Sequence, residues 1–122
     1  MTVTQAIATV NLLYPNHYGD EEKTVWLQKM DERIQKELFS HYLDGANAPL
    51  PDYTESEEEI TLLVESPYDV LYLYELQAKM AYWDGDTNTA SRAEILYRNL
   101  YETYTRAYRR SHQPKGEGRF LF

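Results

Sequence analysis

Histidine is the side chain best placed to bind a metal or move a proton near neutral pH. This chain has three, His17, His41 and His112, far apart and in three different local contexts. None forms the H-x-x-x-H pair that sets two imidazoles on one helix face, and no H-E-x-x-H occurs, so the spacing points away from a metal site. The run Glu55–Glu59, "ESEEE", lacks the alternating oxygen ligands and central glycine of a calcium loop and reads as a solvated charge run. "DGDTN", Asp84–Asn88, begins with the D-x-D-x-N spacing of an EF-hand. It then lacks glycine at the sixth position and has Ile95 at the twelfth, where that loop needs glutamate. A corner between two helices is the better reading. There is no cysteine, hence no disulfide and no thiolate chemistry. The serines sit at caps or helix ends, without a G-x-S-x-G elbow, and five scattered glycines make no phosphate loop. No argument for an enzyme or a cofactor emerges.

What the sequence does carry is tyrosine. Twelve Tyr stand against three Phe and two Trp. Tyrosine buries its ring while its hydroxyl looks for water or a partner, which suits thin cores and interfaces alike. The stretch Ser66–Asp86, "SPYDVLYLYELQAKMAYWDGD", holds four tyrosines and a tryptophan. These rings could be core, a stacking platform, or a surface for other subunits.

The chain's 122 residues suffice for one compact domain. A first helix spans Val3 to Leu13, with Thr2 and Gln5 as a capping box and Pro15 as the stop. A second runs from about Glu21 to Tyr42 with Asp20 as its N-cap. Its stripe is Trp26, Leu27, Met30, Ile34, Leu38 and Tyr42, with Asp31, Glu32, Gln35 and Lys36 mostly on the wet side. Residues 44–58 form an exposed linker or loop, and "ITLLVES" an extended segment. The third helix starts at Ser66 with Pro67 in its first turn and Asp69 closing a capping box, and Gly85 ends it. It is apolar over more than half its circumference, so its remainder must meet something else. The fourth runs from about Thr89 to Ser111, its stripe Ala93, Leu96, Tyr97, Leu100, Tyr104, Ala107 and Tyr108, with arginines crowding its C-terminal end. The expected fold is therefore all-α: four main helices in a small bundle, with a short extended segment near residues 60–65. Residues 1–112 make a single helical domain, and 113–122 a flexible C-terminal tail.

Charge is segregated. Residues 1–91 hold 17 acidic and 5 basic side chains, and residues 92–122 hold 3 acidic and 7 basic. Such asymmetry suits oriented contacts between copies of one chain and disfavours general phosphate binding. No run approaches the ~20 apolar residues of a membrane span, and the first residues lack the basic and apolar regions of a signal peptide.

Two stretches carry a family resemblance. "AIATVNLLYPNHYGDEEKTVWLQKMDERI" has a short helix, a P-N-x-Y turn and a W-L-x-x-x-D helix. "LLVESPYDVLYLYELQAKMAYWDGDTNTASRAEILY" has an L-L-V-x-x-P-Y-D segment, a tyrosine-rich helix and a Y-x-x-G-D corner, and "YRRSHQP" follows. Together they resemble the small head–tail connector, or adaptor, proteins of tailed phages and prophages, over nearly the whole chain. The resemblance implies a non-catalytic helical adaptor that forms a ring beneath the portal and continues the DNA channel. Its partners would be the portal protein, the next neck (stopper) protein and further copies of itself. DNA would pass without specific binding, and no membrane is involved. The location would be the virion neck, and the host bacterial cytoplasm during assembly. The residues expected at subunit or portal interfaces are Tyr68, Tyr72, Arg106, Arg109, Arg110, Arg119, Phe120, Leu121 and Phe122, with the last three as anchors in a portal groove. Two other readings stand beside it: a small acidic inhibitor or DNA mimic, and another neck or tail-assembly protein.

Overall fold

A computed structural model describes residues 1–43, 50 and 60–114. Apart from Leu50, the expected 44–58 loop lies outside the described residues, as do residues 115–122 of the expected tail. Four α-helices pack together: α1 (Val3–Leu13), α2 (Asp20–Glu37), α3 (Leu71–Trp83) and α4 (Thr87–Ser111). The described residues contain no strand, so the fold is all-α. The extended segment contributes a lone bridge, Thr61 to Thr2, and the backbone bonds Val3 N–H to Ile60 O (2.8 Å) and Leu62 N–H to Met1 O (3.0 Å).

The helices run up, down, up and down. Tyr14 at the top of α1 and Tyr18 just before α2 both bond Asp84 at the α3–α4 corner. At the foot, Phe39 and Tyr42, in and after a short 3₁₀ turn that continues α2, pack on Tyr108 near the end of α4. The corner turns at Gly85, whose φ of +79° is a left-handed conformation that side chains resist. Asp86 caps α4 by accepting from Thr89 N–H (3.2 Å), so that helix begins two residues before the expected Thr89.

Local chemistry explains the other departures. The Thr2–Gln5 capping box forms in both directions. Asp20 is the first residue of α2 and not its cap. Gly19 holds the cap position, and Asp20, Glu21 and Glu22 complement the helix dipole. Ser66 caps nothing. The Ser66–Pro67 bond is cis, a 3₁₀ turn spans Tyr68–Val70, and Asp69 pairs with the Met1 amino group at 3.2 Å. Helix α2 ends at Glu37, five residues before the expected Tyr42. Beyond His112, Leu43 N–H bonds Gln113 O (3.1 Å) and Pro114 bridges Tyr42, so ordered pairing extends two residues into the expected tail.

Helix α3 answers the question its tyrosines raised. It is the central helix: Leu71, Tyr72, Leu73, Leu76, Ala78, Met80 and Ala81 are buried, because α1, α2 and α4 cover it from several sides. Its wide apolar surface therefore meets this chain's own helices. Tyr72, expected at an interface, is fully buried. Its hydroxyl donates to the Asp31 carboxylate at 2.5 Å and accepts from Val64 N–H at 2.9 Å. Asp31, expected on the wet side of α2, is likewise fully buried and also accepts from Leu63 N–H at 3.2 Å. A buried carboxylate without donors is costly, and these donors come from α3 and from the extended segment.

Asp31→Ala removes the acceptor for a buried phenol and a backbone amide. It should destabilise the fold by about 3 kcal/mol, and Tyr72→Phe by about 1–2 kcal/mol. Urea unfolding followed by helical circular dichroism measures both. A loss under half of the first value would show that the pair is incidental.

Candidate interaction surfaces

The buried face of α4 is a column of phenol rings. Tyr97, Tyr104 and Tyr108 are buried, with Tyr101 half-buried beside them. Tyr108 lies at the centre of an aromatic stack: Phe39 at 4.8 Å and His112 at 3.7 Å lie nearly parallel to it, and Tyr42 meets it edge-on at 5.1 Å. Such contacts add modestly to area burial and fix ring orientation. Tyr68 is half-buried with its ring 5.4 Å from Tyr104, so it belongs mainly to this chain's own packing.

Charged groups line the neighbouring surface. Arg33 on α2 reaches Glu75 on α3 (3.1 Å) and the Tyr97 hydroxyl (2.6 Å), joining three helices. Tyr101 donates to Glu37 at 3.3 Å. Burial first, and then the nearby Glu37 carboxylate, push the Tyr101 phenol up to about 12. Burial likewise raises Tyr97 and Tyr104. These hydroxyls stay protonated at neutral pH: Tyr101 donates to Glu37, and the Tyr97 oxygen accepts from Arg33.

Three shallow grooves follow one another along α4 and share lining residues. The lowest, about 350 Å³, lies between Glu37, Leu38, Tyr101, Arg106 and Arg109. The middle one, about 360 Å³, is bounded by Arg33, Glu75, Glu94, Tyr97 and Tyr101. The uppermost, about 320 Å³, lies at the α3–α4 corner between Glu75, Ala78, Lys79, Tyr82, Trp83, Ala90 and Glu94. Together they form a furrow whose upper end is aromatic and whose lower end carries arginine. Opposed charges and phenols in so open a furrow suit contact with another polypeptide.

No match emerges when the chain is compared with protein-family models, curated proteins and solved structures.

The expected interface residues thus divide. Arg106 and Arg109 are exposed and line the lower groove, and Arg110 is exposed beside them. Tyr72 is withdrawn to the core. Arg119, Phe120, Leu121 and Phe122 lie outside the described residues. Among the described residues, no group of three His, Asp or Glu side chains is placed to hold a metal ion. No helix among them is long and apolar enough to cross a membrane.

Sequence reasoning missed the top of the bundle. Tyr82 and Trp83 on α3, and Leu12 and Leu13 on α1, are large apolar side chains left in water. Asp84 clamps the same end, accepting from the Tyr14 and Tyr18 hydroxyls at 2.8 Å each. The two phenol bonds, Tyr18's and then Tyr14's, hold Asp84 below the usual carboxylate range. Desolvation, followed by the Asp84 carboxylate, pushes the Tyr14 phenol up to about 12. A signal existed in the sequence: "YWDGD" places two rings beside a turn, where no helix face continues to cover them.

The depressed Asp84 value sets a pH dependence. Its contribution to stability is complete above about pH 4, the unfolded value, and is lost as pH falls through the lower folded value. Melting temperature recorded from pH 7 down to pH 2 should fall less steeply in Asp84→Asn than in the wild type. Parallel acid limbs would show that the clamp holds nothing.

Proposed function

We propose that this chain is a head–tail connector subunit: a non-catalytic adaptor that assembles as a ring beneath the portal of a tailed phage or prophage. The observation that carries the proposal is the polarity of the bundle. Asp20, Glu21, Glu22, Asp84 and Asp86 gather at the top, where α1 and α3 end and α2 and α4 begin. Arg106, Arg109 and Arg110 gather at the foot of α4. A subunit with unlike, complementary ends can meet its neighbours heterologously, and heterologous contacts close into a ring when the rotation between copies returns on itself. The net charge of −8 supports a channel role, since a wall that DNA must slide past should not hold phosphate. The small all-α fold and the motifs that resemble those of phage connectors point the same way. In this reading the portal protein lies on one side of the ring and the next neck protein on the other.

Electron microscopy of lysates from the source phage or prophage, with this gene deleted, tests the proposal. Leaking or DNA-filled heads beside unattached tails are the expected result. Normal infectious particles would overturn it and favour an acidic inhibitor acting on a host enzyme.

A further inference from the structure

Among the described residues, nothing covers the apolar wall of the corner groove at the top of the bundle. Tyr82 is 70% exposed and Trp83 67%, their rings edge-to-face at 5.8 Å. Aromatic side chains paired in water beside a concave surface are an unusual expense for a small domain, and such patches mark contact sites. The groove's rim carries Glu94, and exposed Asp86 and Asp84 stand in the adjoining corner.

The chain also holds a segment of matching chemistry. Residues 115–122, "KGEGRFLF", put a guanidinium directly before three large apolar side chains. This segment follows Pro114, which is pinned to Tyr42 at the foot of the bundle. Reach then decides which groove it can enter. Helix α4 carries the chain about 36 Å from Thr87 down to Ser111 at ~1.5 Å per residue. The eight residues after Pro114 span at most about 29 Å when fully extended. The corner groove's lower rim at Glu94 lies about 26 Å above Ser111, so Phe120, six residues past Pro114, falls short of it, and Phe122 reaches only that rim, with every residue fully extended.

We propose that the corner groove receives residues 119–122 of a second copy of this chain. A Phe120 or Phe122 ring packs against Tyr82 and Trp83, and Arg119 faces Glu94 and the corner aspartates. The contact joins the top of one bundle to the foot of the next. That order also sets the basic foot of one copy beside the acidic top of its neighbour. The inference stands without the connector reading: it needs only a self-associating chain, and the surfaces it names are this chain's own.

Two full-length variants test it. Phe120→Ser/Phe122→Ser loses the ligand and keeps the groove, and Tyr82→Ser/Trp83→Ser loses the groove and keeps the ligand. All four positions lie outside the described core, and unchanged helical circular dichroism confirms that both variants fold. Sedimentation velocity is then run across concentrations up to about 1 mM, the range that detects weak contacts. The wild type should form concentration-dependent oligomers. Each variant alone should be monomeric, and an equimolar mixture should give a 1:1 dimer and nothing larger, because one intact groove meets one intact ligand. Variants that associate like the wild type would overturn the proposal, as would a mixture that stays monomeric. A wild type that remains monomeric at every concentration would overturn it too, leaving the segment to its own lower groove or to a different protein. That last outcome leaves the connector reading to be judged by the virion phenotype alone.

Discussion

The fold depends on one buried acid. Asp31 enters the core from α2, and a carboxylate there must be met by donors or it costs more than the surrounding packing returns. Tyr72 from α3 meets one oxygen and Leu63 N–H the other. The same phenol oxygen accepts from Val64 N–H, so one tyrosine ties the acid to two adjacent amides. The side chains of Leu62 and Val64 are thereby held in the core, and the backbone of this segment reaches Met1 and Val3 at the start of α1. Three helices are thus registered through a single carboxylate. Hydrophobic contact alone tolerates sliding of one helix along another. A network in which every member needs its partner does not.

Tyrosine supplies most of what remains. A domain this small buries a limited fraction of its surface, so many positions are half wet. A phenol suits them because its ring packs and its hydroxyl finds a charge. Tyr97 does so with Arg33, Tyr101 with Glu37, and Tyr14 and Tyr18 with Asp84. Helix α4 is nearly twice as long as α3 and overhangs it. The overhang is covered from the α2 side by Phe39 and Tyr42, which stack around Tyr108. At the other end no described residue gives such cover, and Tyr82 and Trp83 are exposed.

Much of the fold was legible in the sequence. The four helices follow from 3.6-residue periodicity, and the Thr2–Gln5 box and Gly85 mark their bounds because each local cue acts within a few residues. The reading failed where a partner distant in sequence decides the outcome. Asp31 looks like a wet-face residue by type, although it lies four residues after Leu27 and three before Ile34, on the buried line of α2. Its neutralising donors are 32 and 41 positions away, beyond any local pattern. Tyr72 was misplaced for the same reason: a hydroxyl suggests an interface until a buried acceptor is known. Ser66, Pro67 and Asp69 fit a helix-start pattern, but Asp69 is taken by the Met1 amine across the fold. Of the surface, the arginine end could be read from charge alone. The aromatic corner had only a local hint in "YWDGD", two rings beside a turn, and its exposure depends on which neighbours stop short of it.

The two ends restrict how copies of this chain can meet. Top against top would bring Asp20, Glu21, Glu22, Asp84 and Asp86 against their own equivalents, and foot against foot would do the same for Arg106, Arg109 and Arg110. Both isologous arrangements pay like-charge repulsion, so the favoured order is top to foot. Charge cannot hold that arrangement by itself, because exposed charges are screened beyond about 8 Å at physiological salt and exposed ion pairs contribute little. In the proposed self-association an apolar contact must supply the adhesion, and the exposed rings of Tyr82 and Trp83 lie at the end where it is needed. The rigid length of α4 then fixes the spacing between the two contacts. Whether the series closes into a ring or runs on as a filament depends on the angle between them, which a stiff four-helix bundle holds constant from copy to copy.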